Sequence, residues 1–260
     1  MNIIVCIKQV PNTTDVKIDP QTNTLIRQGV ESVINPFDMY AIEEGVRLKE
    51  RLQGKVTVIT MGPPQAEVAL KEAISMGCDD AVLVSDRAFA GSDTWATSYT
   101  LAQAIKKLGV YDIIICGKQA SDGDTAQVGP GIATHLDIPQ VTYVKKIEDI
   151  TPIKAKMERL MEEGYEIVET PLPCVITVVK EINEPRLPSF KGKIRAKNAV
   201  IRKFTAIDID AAPEKIGLTG SPTKVVKIFT PPPRKGGQIL RGEAHEVTDE
   251  LVRLLKDEVI

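Results

Sequence analysis

Tyr111-Asp112-Ile113-Ile114-Ile115-Cys116-Gly117-Lys118-Gln119-Ala120-Ser121-Asp122-Gly123-Asp124-Thr125-Ala126-Gln127-Val128-Gly129 is the stretch on which the fold turns. Its first part, Tyr111 to Cys116, is a short β-branched apolar run, the composition of a strand buried on both faces of a parallel sheet. Its second part is a loop of small and acidic residues that leads into a helical pattern, Thr125 to Leu136. Small residues let the backbone come close to a ligand, and the free amides of a helix start favour phosphate. Gly117 to Gly129 is therefore a candidate phosphate cradle. Its spacing is neither G-x-G-x-x-G nor G-x-x-x-x-G-K-[ST], which excludes the standard dinucleotide fingerprint and the P-loop. A polar loop with an Asp or Thr cap is the plainer alternative.

The same grammar recurs outward along the chain. Ile3 to Ile7, Val56 to Thr60, Ala81 to Val84 and Cys174 to Val179 read as further buried strands. Between them lie helical patterns. Asp38 to Leu52 puts Ala41, Ile42, Gly45, Val46, Leu48 and Leu52 near one face, with Asp38 available as N-cap. Ala66 to Met76 stops at Gly77, and Asp93 to Leu108 stops at Gly109. The alternation predicts an α/β fold with a doubly wound, mostly parallel sheet, adenine-nucleotide-binding and Rossmann-like, with helices on both faces. Past about residue 145, Lys154 to Leu160 and Tyr165 to Thr170 read as an antiparallel hairpin. After Val179 the pattern dissolves through Pro185, Pro188, a basic stretch, Pro222, Pro231-Pro232-Pro233 and Gly236-Gly237 into an extended C-terminal arm. The arm ends in an amphipathic helix capped near Thr248, with Val247, Leu251, Leu254, Leu255 and Val259 on one side. That stripe is expected to cover either its own domain or another subunit, and the reach of the Pro-rich tether favours the second.

The chain has 260 residues, 33 Lys+Arg against 35 Asp+Glu, and a formal net charge of −2. That balance argues against wholesale binding of nucleic acid or anionic membrane. No apolar run approaches the roughly 18 residues of a membrane span, and the first residues lack a secretory pattern, so a cytoplasmic protein is expected. Four dispersed cysteines and two histidines indicate neither a disulfide framework nor a metal site. Cys6-Ile7-Lys8-Gln9-Val10-Pro11, Asn35-Pro36-Phe37-Asp38 and Thr60-Met61-Gly62-Pro63 lie at strand ends or helix starts on one rim of the sheet. Converging there, they can hold an adenine and a ribose between main-chain groups, with Asn35 or Asp38 on hydroxyls. No nucleophile pattern or H-E-x-x-H motif occurs, so no residue is assigned a catalytic role. Any electron transfer must belong to a bound cofactor. An ATP-binding stress-type module fits the first 145 residues but leaves the rest unexplained.

Cys6-Ile7-Lys8-Gln9-Val10-Pro11, Asn35-Pro36-Phe37-Asp38, Gly117-Lys118-Gln119-Ala120 and Asn183-Glu184-Pro185-Arg186 followed by Arg195-Ala196-Lys197 together resemble the beta subunit of electron transfer flavoprotein, nearly end to end and in order. The resemblance implies a heterodimer with an alpha subunit carrying a redox FAD. It divides the chain into a nucleotide- or FAD-binding domain (1–182), a recognition loop for acyl-CoA dehydrogenases (183–200) and an arm that wraps the alpha subunit (201–260). On the loop, Phe190 corresponds by position to the family's apolar anchor, with Leu187 beside it and Arg186, Lys191, Lys193 and Arg195 as a charged rim. The segment Ser85 to Ser98 resembles the electron-bifurcating branch, which holds a second FAD oxidising NADH and serving ferredoxin or flavodoxin, rather than the branch that holds AMP. On that reading the amides of Asp122, Gly123, Asp124, Thr125, Ala126, Gln127, Val128 and Gly129, with Gly117, meet phosphates. Cys6, Lys8, Asn35, Asp38, Thr60 and Met61 surround adenosine. Ser92, Thr94 and Thr97 reach the flavin ring, although Asp93 can equally cap its helix. Gly123 leaves room for a larger pyrophosphate.

Overall fold

A computed structural model of the chain describes residues 1–12, 32–226 and 236–259. It contains two compact units, Met1–Val226 and Lys227–Ile260. In chain order the first unit has β1 (Asn2–Cys6), β2 (Gln9–Pro11), β3 (Ser32–Ile34), α1 (Pro36–Leu52), β4 (Lys55–Met61), α2 (Glu67–Met76), β5 (Asp80–Val84), α3 (Thr94–Leu108) and β6 (Ile113–Gly117). It continues with α4 (Val128–Leu136), β7 (Gln140–Ile150), β8 (Lys154–Met161), β9 (Gly164–Pro171), β10 (Cys174–Val178), α5 (Phe190–Asn198) and β11 (Arg202–Phe204).

The main sheet runs β11-β5-β4-β1-β6-β10-β7-β8-β9, parallel from β11 to β7 and antiparallel in the β7-β8-β9 hairpins. Beside it β2 and β3 form a two-stranded antiparallel ladder. The register sets Ile3 against Ile113 and Ile4 against Ile114. Alternate residues therefore share a face. Ile3, Val5, Ile113 and Ile115 pack with Ala41, Ile42 and Val46 of α1 and with Leu70 of α2. Ile4, Cys6, Ile114 and Cys116 pack with Leu101 and Ile105 of α3 and Ile132 of α4. Covering both faces is why these strands read as unbroken apolar runs rather than alternating ones. From β1 the chain proceeds to β4 and β5 on one side and to β6 and β10 on the other, so the order reverses between β1 and β6. Ligands of such sheets sit outside the carboxyl ends at that point.

Several elements differ from what the sequence predicts; α1 begins at Pro36, with Asn35 rather than Asp38 at its N-cap position. Helix α4 begins at Val128 rather than Thr125, because Asp124 and Ala126 adopt left-handed φ of 51° and 54°, outside the helical region. The long strand β7 carries a left-handed Tyr143 (φ 61°) and register shifts against β8 and β10, which erase the period-two signal. The stretch read as dissolving after Val179 forms α5, adds β11 to β5 as a parallel edge strand, and buries Ile201, Ile209 and Ile216. In the second unit, α6 (Ala244–Val259) starts earlier than expected. Thr248 is not its cap: its hydroxyl donates to the Ala244 carbonyl at 2.7 Å inside the first turn, while the Glu246 carboxylate reaches back to the Glu243 amide. The Pro231-Pro232-Pro233 tether lies outside the described residues. No helix among the described residues is long and apolar enough to cross a membrane.

Helix α1 approaches β1 closely through Gly45, where a Cβ would stand 2.8 Å from Cγ2 of Val5. A β-branched neighbour has little room to yield. Gly45→Ala is therefore expected to lower the denaturant midpoint without changing the slope. The overpacking, about 1–3 kcal/mol, exceeds the roughly 1 kcal/mol gained in helix propensity. A stabilised variant would contradict this packing.

Candidate functional site

The carboxyl rim is assembled by two buried polar side chains at the start of α1. Asn35 occupies the N-cap position but makes no side-chain cap. Instead its Nδ2 donates to the Gln119 carbonyl at 2.8 Å, and its Oδ1 accepts from the Ser121 amide at 3.0 Å. Its own amide donates to the Lys8 carbonyl at 2.8 Å. Asp38 accepts from the Lys8 amide at 2.6 Å, and also from the Gly117 amide and the Asn35 side chain. The ends of β1 and β6 are thereby tied to α1 through side chains that are 1% and 5% exposed. Gly117 has to be glycine: a Cβ there would stand 2.7 Å from the Phe37 carbonyl carbon and still closer to the Asp38 carboxylate. Burial drives the Asp38 carboxyl up to about 7, overriding the hydrogen bonds that favour its ionised form.

Beyond Gly117 the loop folds on itself. The Asp124 amide donates to the Ala120 carbonyl at 2.8 Å, and the Gln119 side-chain amide meets the Asp124 carboxylate. The two left-handed residues then deliver the chain to α4, whose N-cap Gln127 makes no side-chain bond to the helix. The amides of Val128 and Gly129 precede any intrahelical acceptor, an arrangement suited to an anion. Gly129 brings this helix start down onto the strand ends, where a Cβ would meet Thr177 Cγ2 at 2.6 Å. Gly123, by contrast, faces open space. Lys8 Nζ bridges to Asp122 Oδ1 at 2.6 Å, linking the two rim loops in a half-exposed pair that contributes about 0–1 kcal/mol. No side chain caps the α4 start, so the Asp or Thr cap of the plainer alternative does not form.

The remaining predicted residues occupy other settings. Thr60 is buried and donates to the Ile7 carbonyl at 2.7 Å, so its hydroxyl joins strands. The Cys6 thiol lies against Cys116, whose thiol is pushed up by that contact and by burial. Met61 is partly buried against the α3/α4 core. At the start of α3, Asp93 realises the capping alternative: its Oδ1 accepts from Trp95 and Ala96 amides at 2.9 and 3.0 Å, and its Oδ2 from the Thr223 amide and hydroxyl. Ser92 donates to the Phe89 carbonyl at 2.8 Å, whereas Thr94 and Thr97, one turn apart and partly exposed, have hydroxyls without a partner among the described residues. Lys118 was missed by sequence reading. Its ammonium lies 5.7 Å from the Phe37 ring and 5.3 Å from the Tyr143 ring at the same rim, a juxtaposition created by the unrecognised strand β7.

Far from the crevice, Leu187 and Phe190 are 88% and 81% exposed. Lys191 and Lys193 are exposed beside them. Arg186 and Arg195 do not form a free charged rim: Arg186 pairs with Glu43 and Glu50, and Arg195 donates to the carbonyls of Ile74 and Cys78. Among the described residues no cluster of His, Cys, Asp and Glu is arranged to hold a metal.

Residues 22–209 match the family model described as the electron transfer flavoprotein domain. The chain is 55% identical over 256 residues, 98% of both chains, to the electron transfer flavoprotein subunit beta of Thermoanaerobacterium thermosaccharolyticum. It is 50% identical to subunit CarD of the caffeyl-CoA reductase-Etf complex of Acetobacterium woodii over 262 residues, 100% of both chains. It is also 50% identical to protein FixA of Azotobacter vinelandii, over 90% of this chain and 85% of that one.

The buried carboxyl of Asp38 is open to direct measurement. Its side-chain ¹³C resonance is expected to titrate with a midpoint near 7, against about 3.9 for an ordinary Asp. Between those values the folded chain holds a proton that the unfolded chain has released. This group's contribution to stability is thus complete below about pH 4 and is lost as the pH rises through 7. A midpoint close to 4 would refute the tie as described. Asn35→Ala strands the Ser121 amide and the Gln119 carbonyl and is expected to cost about 1–3 kcal/mol in chemical denaturation.

Proposed function

The chain belongs to the electron transfer flavoprotein beta-subunit family, and from that premise we propose that it is the beta chain of a bifurcating heterodimer whose crevice holds FAD. The observation that carries the reading is the α4 start, uncapped and set beside an open Gly123, on a rim built by buried side chains rather than by ligand-directed ones. Within Asp122 to Gly129, the uncapped amides of Val128 and Gly129 at the α4 start bind the pyrophosphate, while those of Gly123 and Asp124 close the loop on the Ala120 carbonyl and Gly117 keeps it against α1. Asn35 and Asp38 act by holding the loops in place, so that backbone around Cys6, Lys8 and Met61 frames the adenosine. Thr94 and Thr97 offer their free hydroxyls to the polar edge of the isoalloxazine, while Asp93 keeps the amides of α3 occupied. Bound there, FAD supplies the chemistry of taking hydride from NADH and releasing electrons singly, one to ferredoxin or flavodoxin and one through the alpha-subunit FAD to an acyl-CoA dehydrogenase. The name of the A. woodii relative supports a partner of this kind: it belongs to a caffeyl-CoA reductase-Etf complex.

The exposed Leu187 and Phe190 serve as the apolar anchor for the dehydrogenase, a small contact of the kind that concentrates binding energy. The stripe of α6, with Val247, Leu251, Leu254 and Leu255 at helical spacing, packs on the alpha subunit.

Copurification with the alpha partner tests the cofactor directly. Two FAD per heterodimer is the expected content; one FAD with one AMP would select the non-bifurcating carrier, and ATP without flavin would reject both. Phe190→Ala is expected to slow electron transfer to the dehydrogenase about tenfold or more, as loss of a hot-spot side chain does, with flavin content unchanged.

A further inference from the structure

We infer that Glu43, a buried carboxylate in the middle of α1, positions the partner-recognition segment by holding Arg186, so that Leu187 and Phe190 stand preformed for docking. The inference rests on the reading of those two residues as the dehydrogenase anchor. Glu43 is 2% exposed, yet it is met by two guanidinium groups. Arg47 Nε donates to its Oε1 at 2.6 Å; Arg186 donates from its backbone amide and Nε to Oε2 at 3.1 and 2.8 Å, and from Nη2 to Oε1 at 3.2 Å. The same Arg186 forks onto Glu50 at 2.6 and 3.0 Å. Fork-to-carboxylate pairs of this geometry fix orientation as well as distance. Burial opposes the charge on Glu43, but the two arginines hold its carboxyl below the usual range.

The clamp has a second jaw on each side. Asn183 Nδ2 donates to the Tyr40 carbonyl and to Glu44, both at 3.1 Å, and Arg47 Nη2 reaches the Glu184 carbonyl. Downstream, Arg195 Nη2 donates to the Ile74 and Cys78 carbonyls at 2.7 Å, and Gly192 lies so close to Ser75 that a Cβ would strike its carbonyl oxygen. Between these ties Leu187, Phe190 and Lys191 are exposed. A segment without regular structure from Asn183 to Pro188 is otherwise free to sample many conformations, and ordering it on the partner would lower affinity. Glu43 touches neither cofactor nor partner in this account; it is a positioning residue acting through Arg186.

The test uses the flavin-loaded heterodimer carrying Glu43→Gln or Arg186→Gln; the second variant leaves Glu43 paired with Arg47 and so avoids an isolated buried charge. If the clamp's loss reduces the docking-competent fraction to about a tenth, the KM of the dehydrogenase for the heterodimer rises about tenfold with kcat unchanged. Amide exchange is then expected to accelerate across residues 183–192 and not in β1 or β6, with flavin content at the wild-type level. An unchanged KM in both variants, while Phe190→Ala raises it, would overturn the positioning role and leave the docking assignment standing. Silence of Phe190→Ala as well would overturn the docking assignment itself. Accelerated exchange throughout the domain, or loss of flavin, in both variants would show Glu43 to be a general stabilising residue and would equally overturn the inference.

Discussion

The carboxylate of Asp38, shut away from water and held by the amides of Lys8 and Gly117, is the contact on which the crevice depends. Two strand ends and a helix start meet there, and each would otherwise present unpaired amide groups. Satisfying those groups internally costs the protein a carboxyl that stays protonated up to about pH 7. Asn35 completes the arrangement by taking a carbonyl and an amide from opposite sides of Ala120. The Val128 and Gly129 amides at the α4 start carry no side-chain cap, while side chains on another element deal with the rest of the rim.

Helix α1 joins this rim to the irregular segment from Asn183 to Pro188. Its first turn carries Asp38, and its middle carries Glu43, Glu44 and Arg47, which take up Asn183, Glu184 and Arg186. From Asp38 to Glu50 the helix covers about 18 Å at 1.5 Å per residue. Because Gly45 seats that length directly on Val5, crevice and segment share one rigid support.

Much of the fold was legible because buried parallel strands advertise themselves: Ile3 to Val5 and Ile113 to Cys116 have no polar face to confuse the period. The crevice loops were legible too, as peptides placed at strand ends. What their side chains do was not. Asn35 and Asp38 look from sequence like ligands for ribose hydroxyls, yet their polar atoms are engaged across distances of 84 and 30 residues. Lys118 acquires its aromatic neighbours only through the irregular strand β7, and Arg186, which reads as a free rim charge, is committed to Glu43 some 143 residues away. Long-range partners leave no mark in local spacing; periodicity reports burial, not who pairs with whom. Helix α5 was hidden for a related reason, since Phe190-Lys191-Gly192-Lys193 has little helical propensity and depends on the Ser189 cap and on packing against α2.

The central claim is that the start of α4 is the anion site and that the rim side chains only build it. Amide chemical-shift mapping of the heterodimer, stripped of nucleotide and titrated with ADP, addresses it most directly. The account predicts the largest shifts at Asp122 to Gly129, greatest at Val128 and Gly129, while the Trp95 and Ala96 amides under Asp93 stay nearly still. Shifts centred on the α3 start, with residues 122–129 silent, would contradict it.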